Sequence, residues 1–264
     1  MNLVEVELPN DGIAVIRLQR SSRRNALSVA LVRELLDALQ ALGADRRVRV
    51  IVLTGEGAAF CAGVDLTDEN TLEAARDGIV GSVDLQQLFS TMPLALRSIE
   101  QPVIAAINGP AAGAGLGLAL AADLRVAGAS ATLHVASIKI GLSGGECGLS
   151  WHLPRLVGTG RALELLLTGR PVPADEAERL GLVNHVVPDD ELLDAAIALA
   201  HEIAANSPFA VRATKQVTWA GMDLPLAAAL RLENGLQVAA SMTEDCAEAM
   251  SAYREKRPPR FTSR

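Results

Sequence analysis

Residues 101–123, QPVIAAINGPAAGAGLGLALAAD, combine a strand, a glycine-rich loop and a helix within one short stretch. The first part, PVIAAING at 102–109, is an apolar run that ends in turn residues, which is typical of a buried parallel strand. The glycines and alanines that follow predict a helix that packs closely on its neighbours. Because Asn108, Gly109 and Pro110 interrupt the apolar run, we interpret it as buried core and not as a membrane span.

A second stretch has the same pattern earlier in the chain. The β-branched run VRVIVLTG at 48–55 predicts another buried parallel strand, and the small-residue loop GAAFCAGVDL at 57–66 follows it. A loop of this kind at a helix start presents free backbone N–H groups, which suit an anion or a developing oxyanion. One such loop alone is a weak motif that close packing also explains. Neither loop has the spacing of a dinucleotide-binding motif or a P-loop.

The rest of the chain extends this core on both sides. Apolar runs around Asn10-Asp11-Gly12 predict a β-hairpin, and Ser28 is the predicted cap of an amphipathic helix. We expect a helix over 71–99 and short strands at LRVAG and ATLHVA. The apolar spacing predicts that the later part of the chain is mostly helical and that its basic end is frayed. The predicted helices are 160–168, 173–181, 189–205, 208–220, 223–240 and 243–256. Interleaved strands and helices followed by a helical tail predict an α/β core with a helical C-terminal part.

Composition restricts the partners and the location. The chain has 264 residues, 50% of them hydrophobic and 21% charged, with a net charge of −7. This charge argues against nucleic acid as the main partner, because such partners need a basic face. Cys61, Cys147 and Cys246 are widely separated and the four histidines lack ligand spacing, so we expect no disulfide framework and no metal site. The acidic N-terminus lacks the apolar region of a signal peptide, so we expect a cytoplasmic protein that is not bound to a membrane.

Several segments together resemble the crotonase family, also called the enoyl-CoA hydratase/isomerase family. The resemblance covers about residues 3 to 220, and the segments that match in order and spacing are RRNALS (23–28), FCAGVDL (60–66), QPVIAAINGPAAGAGLGLALAADLRVA (101–127), LPRLVGTGRALELLLTGR (153–170) and ADEAERLGLVNHVVP (174–188). The resemblance implies an α/β fold built as a crotonase-like spiral of ββα units. It also implies an acyl-CoA-binding core at 1–205 and a C-terminal helical region at 206–264 that assembles a homotrimer or homohexamer.

The resemblance further implies where an acyl-CoA thioester binds. Members of the family hold the thioester oxygen with two backbone N–H groups, which by position belong to Val64 and Ala114. Ala114 stands where the family usually has glycine, and its N–H remains available if its φ is negative. The residues implied beside the coenzyme A part of the substrate are Arg24, Ala26, Leu27, Ala62, Asp65 and Leu66. Arg24 is a candidate phosphate partner, with a solvated loop charge as the alternative. Coenzyme A enters only as part of the substrate, and the family needs no other cofactor.

The sequence departs from the family at two positions that matter for hydration. Hydratases of the family use two glutamates to hold and split a water, and the matching positions here are Gly117 and Ser137. Glycine transfers no proton, and serine is a poor base without a partner. The resemblance therefore extends to the fold but not to the two-carboxylate hydration mechanism.

One carboxylate lies further along, in the loop GLSGGECGLSWHLPR at 141–155. Glu146 stands nine positions before Arg155, and isomerases of the family carry an acid at a similar distance before the matching segment. A single base suits an isomerase, which removes a proton from one carbon and returns it to another. We expect the apolar loop to raise the pKa of Glu146. The alternative is an exposed loop glutamate or a charge at a helix N-terminus.

The same loop also contains a G-x-S-x-G pattern centred on Ser143, which is typical of serine hydrolases. A hydrolase needs an Asp and then a His downstream, and Asp175 precedes His185. We do not favour this interpretation, because the oxyanion donor loop of such enzymes is missing upstream. Cys147 is a candidate nucleophile, but a buried, inert cysteine is the commoner case.

The favoured hypothesis is an enoyl-CoA isomerase in which Val64 and Ala114 hold the oxyanion and Glu146 is the acid and base. Two alternatives remain open. One is an enoyl-CoA hydratase that uses Glu146 as its single carboxylate, and the other is an acyl-CoA-binding oligomer without catalytic activity. The sequence does not indicate which acyl group is bound.

Overall fold

The computed structural model describes residues 2–8 and 12–262. The strands of this part of the chain are β1 (Val4–Glu7), β2 (Ile13–Leu18), β3 (Val50–Gly55), β4 (Val103–Ile107), β5 (Ala111–Ala112), β6 (Leu124–Gly128), β7 (Thr132–His134), β8 (Val172–Pro173) and β9 (His185–Val187). The helices are α1 (Val29–Ala44), α2 (Glu69–Arg76), α3 (Gly78–Ser98), α4 (Ala114–Ala121), α5 (Leu149–Val157), α6 (Thr159–Thr168), α7 (Ala174–Leu180), α8 (Leu192–Ala204), α9 (Pro208–Gly221), α10 (Leu226–Ser241) and α11 (Glu244–Glu255).

The main sheet has six strands in the order β1-β2-β3-β4-β6-β9. β1 and β2 are antiparallel, with Val4 opposite Leu18, and the other neighbours are parallel. The predicted pairing of the first two strands is confirmed, although Asn10 and Asp11 of the predicted turn lie outside the described residues. Every residue of β3 and β4 is buried, which confirms the two predicted core strands.

Helices cover both faces of this sheet. On one face, alternate residues of β2, β3 and β4 pack against Leu192, Ala196 and Ala200 of α8. On the other face, the intervening residues of the same strands pack against α1, α3 and α4 in a larger core. Burial on both faces explains why these strands are continuously apolar in sequence.

A small second sheet brings the two glycine-rich loops together. Its strand order is β5-β7-β8, and single bridges also join Cys61 to Ala111 and Leu27 to Val64. Because β3 and β4 are parallel neighbours, the loops that follow them emerge at the same edge of the main sheet.

Three details of the fold differ from the prediction. The expected helix over 71–99 is two helices that meet at Asp77, because Gly78 has a left-handed φ of +69°. β5, β8 and β9, which have only two or three residues each, were not predicted. The basic end is tied down as far as Thr262, whose N–H donates to Asp245 at 2.7 Å.

The C-terminal helices leave much apolar surface uncovered. α10 buries none of its residues within the chain, and Val238 and Met242 are 64% and 83% exposed. α9 is nevertheless joined to the core, because Lys215 pairs with Asp123 at 2.7 Å. The division of the chain at residue 205 therefore stays a prediction. No helix among the described residues is both long enough and apolar enough to cross a membrane.

Because much of the apolar surface of α10 has no intrachain cover, we predict that it packs against other copies of the chain. Val238→Glu places a charge on this face, and we expect light scattering to show a smaller species than the wild-type assembly. Gln40→Glu, which adds the same charge at an exposed position of α1, is the control and is expected to leave the assembly intact. A monomeric wild-type protein at micromolar concentration would contradict the prediction.

Candidate active site

The first loop of the site leaves one backbone donor free. Leu27 donates its N–H to the carbonyl of Gly63 at 2.7 Å, and Asp65 donates its N–H to the carbonyl of Leu27 at 3.0 Å. In an extended segment successive peptide groups face opposite sides, so the N–H of Val64 points away from this pairing. No described backbone group accepts a hydrogen bond from it.

The second loop contributes a donor from a helix start. Ala114 is the first residue of α4, and the first N–H groups of a helix have no acceptor within it. The first backbone bond of this helix runs from Gly117 to the carbonyl of Gly113 at 3.0 Å. Ala114 is not among the residues with positive φ, so its N–H is available as a donor despite the methyl group that replaces the usual glycine.

These two donors lie side by side. A Cβ placed on Gly63 would lie 3.6 Å from the nitrogen of Ala114, and Gly63 directly precedes Val64. Two free N–H groups on residues that are neighbours in space suit a single oxygen atom that gains negative charge.

Glu146 lies next to the second donor. A Cβ placed on Gly113 would lie 2.9 Å from Oε1 of Glu146, so the carboxylate rests against the residue that precedes Ala114. Burial raises the pKa of Glu146, and the hydroxyl of Ser137 opposes the rise by favouring the charged form. The prediction that the apolar loop raises this pKa is confirmed in direction.

The space beside Gly117 is occupied by the loop that follows Glu146. A Cβ placed on Gly117 would lie 2.5 Å from the carbonyl oxygen and 2.8 Å from the Cβ of Cys147. Cys147 itself has a left-handed φ of +43°. A larger residue at position 117 therefore requires this loop to move. The structure thus brings together Gly117, Ser137 and Glu146, which the resemblance singled out.

The segments predicted to lie along coenzyme A are adjacent. Ala62 donates its N–H to the carbonyl of Arg24 at 3.0 Å, and the Arg24 side chain is exposed. Leu66 is 53% exposed, whereas Leu27 is completely buried and presents no surface to a ligand. Ala26 and Ala62 are partly exposed.

The side chain of Asp65 serves the protein itself. Its Oδ2 pairs with Arg20 at 2.6 Å, and its Oδ1 accepts bonds from the N–H and hydroxyl of Thr67 at 2.9 and 2.7 Å. Burial disfavours the charged carboxylate, but the bonds from Thr67 and Arg20 outweigh it and lower the pKa of Asp65 to about 2. The carbonyl oxygen of Asp65 also has a partner within the chain, because it accepts the N–H of Asp68 at 3.2 Å.

Sequence reasoning missed the residue that shapes this segment. Asn25 is completely buried with φ +55°, and its Nδ2 donates to the carbonyls of Glu56 and Ala59 at 2.9 and 2.8 Å. Asparagine tolerates the left-handed region better than other residues, so the asparagine in RRNALS was the available signal.

Comparison with known proteins identifies the family. Residues 9–264 match the family described as enoyl-CoA hydratase/isomerase. The chain belongs to this family.

Its relatives in the family cover the whole chain. It is 42% identical to the probable enoyl-CoA hydratase EchA12 of Mycobacterium tuberculosis, over 99% of this chain and 93% of that protein. The crystal structure of a probable enoyl-CoA hydratase/isomerase from Mycobacterium abscessus is 38% identical, with a TM-score of 0.91 and complete coverage of both chains. A monofunctional enoyl CoA isomerase from M. smegmatis is 38% identical, with a TM-score of 0.75 over 87% of this chain and 99% of that one. The predicted crotonase fold and the prediction of an enzyme of this family are confirmed.

The hydrolase interpretation finds no support in the geometry. Ser143 is exposed, and its Oγ accepts the N–H of Gly145 at 3.1 Å within its own loop. Asp175 pairs with Arg179 at 2.8 Å, and no described histidine bonds to Ser143. Burial raises the pKa of Cys147 to about 12, so its thiol is protonated and a poor nucleophile.

Two cavities in the described part of the chain lack this chemistry. One of about 850 Å³ lies between α2 and α3, and one of about 560 Å³ lies beside α8 and α9. Neither cavity is lined by Val64, Ala114 or Glu146. We therefore assign the site from the two free backbone N–H groups and the carboxylate beside them. Among the described residues, no group of three or more His, Cys, Asp or Glu side chains could hold a metal ion.

We predict that position 117 tolerates no side chain. Gly117→Ala places a methyl group against the carbonyl of Cys147, so we expect the free energy of unfolding to fall by about 1–3 kcal/mol in urea titrations. Gly160→Ala in α6 is the matched control, because a Cβ there meets nothing within 4 Å. That variant is expected to be neutral or slightly stabilising. Equal stability of the two variants would mean that the Cys147 loop yields easily.

Proposed function

We propose that the chain catalyses double-bond isomerisation of an enoyl-CoA thioester. The observation that supports this proposal is one partly buried carboxylate, Glu146, beside the free N–H groups of Val64 and Ala114. Neither of the two positions that match the hydratase glutamates is acidic, since they hold Gly117 and Ser137. One base without a partner suits proton transfer between two carbons better than the splitting of water.

The proposed reaction needs no added water. The thioester oxygen of a 3-enoyl-CoA accepts hydrogen bonds from Val64 and Ala114, and Glu146 takes a proton from carbon 2. The electron pair of the broken C–H bond forms a dienolate whose charge lies on the thioester oxygen. Glu146 then returns the proton to carbon 4, and the double bond becomes conjugated with the thioester.

Both the stabilisation of the oxyanion and the basicity of Glu146 favour this reaction. Each preorganised donor stabilises the developing oxyanion by about 3–4 kcal/mol in comparable sites. Burial raises the pKa of Glu146, which brings it closer to the acidity of the activated carbon and makes the carboxylate a stronger base. Because carboxylates ionise below neutral pH unless strongly perturbed, Glu146 can act as the base at pH 7.

Hydration remains the second candidate, because several relatives carry the name enoyl-CoA hydratase. The two reactions differ in mass balance. We expect incubation with a 3-enoyl-CoA to give the 2-enoyl isomer at unchanged mass, and a 2-enoyl-CoA to gain no water. Formation of a hydroxyacyl-CoA would favour the hydratase. Tight acyl-CoA binding without turnover on a broad panel would favour the non-catalytic oligomer.

Further properties of the enzyme belong to the same proposal. We propose a homotrimer or homohexamer, supported by the uncovered apolar face of α10. We propose that coenzyme A is required only as part of the substrate. A reducing cytoplasm is the proposed location, supported by free thiols at Cys61, Cys147 and Cys246.

The role of Glu146 is tested by Glu146→Gln, which keeps the size of the side chain and removes the base. We expect turnover to fall by a factor of about 10² to 10⁴, typical for the loss of general acid–base help. Acyl-CoA affinity is expected to stay nearly constant, since the oxyanion donors are backbone groups. Ser143→Ala is the control and is expected to be silent. Full activity of the Gln variant, or loss of activity in the Ala variant, would contradict the proposal.

The role of Arg24 is tested by charge reversal. If Arg24 contacts a phosphate of coenzyme A, Arg24→Glu is expected to weaken binding by on the order of 1–3 kcal/mol in calorimetry. Arg33→Glu reverses an equally exposed charge on α1 and is expected to leave the affinity unchanged. Equal affinity of the two variants would mean that Arg24 is only a solvated charge.

A further inference from the structure

Ser137 carries a buried hydroxyl whose hydrogen bonding is incomplete. It begins the short 3-10 helix Ser137–Ile140, which follows shortly after β7, and it is 6% exposed. Its Oγ makes no well-formed hydrogen bond with any described group, although buried hydroxyls normally have one. The backbone of the same residue is paired, since its carbonyl accepts the N–H of Leu142 at 3.1 Å.

The carboxylate of Glu146 lies beside this hydroxyl. Backbone bonds fix the surroundings of both groups: Gly113 donates to the carbonyl of His134 at 3.0 Å, which joins the start of α4 to β7, and Leu142 ties the loop of Glu146 to Ser137. The carboxylate itself rests against Gly113. These backbone bonds hold the Ser137 hydroxyl and the Glu146 carboxylate on neighbouring segments of one site.

The other ionisable groups near this pair are neutral or face solvent. No described cation contributes to the pKa of Glu146. Burial raises the pKa values of Cys61 and Cys147 to about 12, so both thiols stay protonated. His134 on β7 contacts Thr132 at 2.8 Å, and burial lowers its pKa, so it is neutral at pH 7. Lys139, on the same short helix as Ser137, is exposed.

We propose that Ser137 is a positioning residue for Glu146: its hydroxyl donates a hydrogen bond to the carboxylate before proton transfer and accepts one from the carboxylic acid afterwards. The inference rests on the proposed isomerase function. A serine hydroxyl has one donor hydrogen and two acceptor lone pairs, so it can follow the proton through both halves of the reaction without ionising. The proton moves only between Glu146 and the substrate carbons.

The test is the pH profile of kcat/KM for Ser137→Ala. Without the hydroxyl, burial acts unopposed and raises the pKa of Glu146 further, so the carboxylate form is reached only at higher pH. We expect the acid limb to move to higher pH and kcat at neutral pH to fall by about tenfold to a hundredfold. Ser137→Thr keeps the hydroxyl and is expected to keep the wild-type limb. Ser143→Ala, in the exposed part of the loop, is expected to change neither quantity.

A second measurement records the same protonation without turnover. Infrared difference titration follows the carboxyl band of Glu146, which the Glu146→Gln variant identifies by its absence. We expect a higher midpoint in Ser137→Ala than in the wild type and in Ser143→Ala. An unchanged midpoint and acid limb in Ser137→Ala, with Glu146→Gln inactive, would overturn the positioning role and leave the isomerase proposal standing. Full activity of Glu146→Gln would instead remove the proposed function, while the infrared midpoint still decides whether Ser137 bonds to Glu146.

Discussion

Two backbone N–H groups without acceptors are the feature on which the rest of the site depends. Parallel pairing of Leu27 with Val64 turns one N–H outward, and the start of α4 frees the other at Ala114. Both lie in loops that follow adjacent parallel strands, and the bridge between Cys61 and Ala111 joins those loops. A donor pair held by backbone geometry costs no reorganisation when charge develops, which is why such pairs suit enolate chemistry.

Packing beside this pair restricts the chemistry. The small residues of α4 allow Cys61 and the Cys147 loop to approach the helix closely, and that loop carries Glu146 to the residue before Ala114. The close approach has a steric consequence, because position 117, which the resemblance matches to a hydratase glutamate, has no room for a side chain. The position of this one loop leaves a single carboxylate next to the proposed oxyanion site. The proposed isomerase function depends on that carboxylate.

Buried polar groups hold the outer parts of the site in place. Asn25 bonds three neighbouring backbone groups, and Arg20 joins Asp65 at 2.6 Å. On the far side of the sheet, Asp123 accepts bonds from Val103 and Trp219 at 2.8 and 2.6 Å and pairs with Lys215. Each of these buried groups has several partners, which offsets the cost of removing it from water. The C-terminal helices are thereby joined to the core, while the outer face of α10 stays uncovered.

The sequence alone determined the order of the main elements and the family. The family resemblance named Val64 and Ala114 in the two small-residue loops. Continuous apolar runs identified β3 and β4, and helical spacing identified α1 and the C-terminal helices. These signals are local, because they depend on burial pattern and backbone conformation within a few residues. Only the tertiary structure decided which side chains are free to act. It committed Asp65 to Arg20, buried Leu27, filled the space at Gly117 with Cys147 and placed Ser137 beside Glu146. Such contacts join residues far apart in the chain or depend on the exact path of a loop, and no periodicity in the sequence records them.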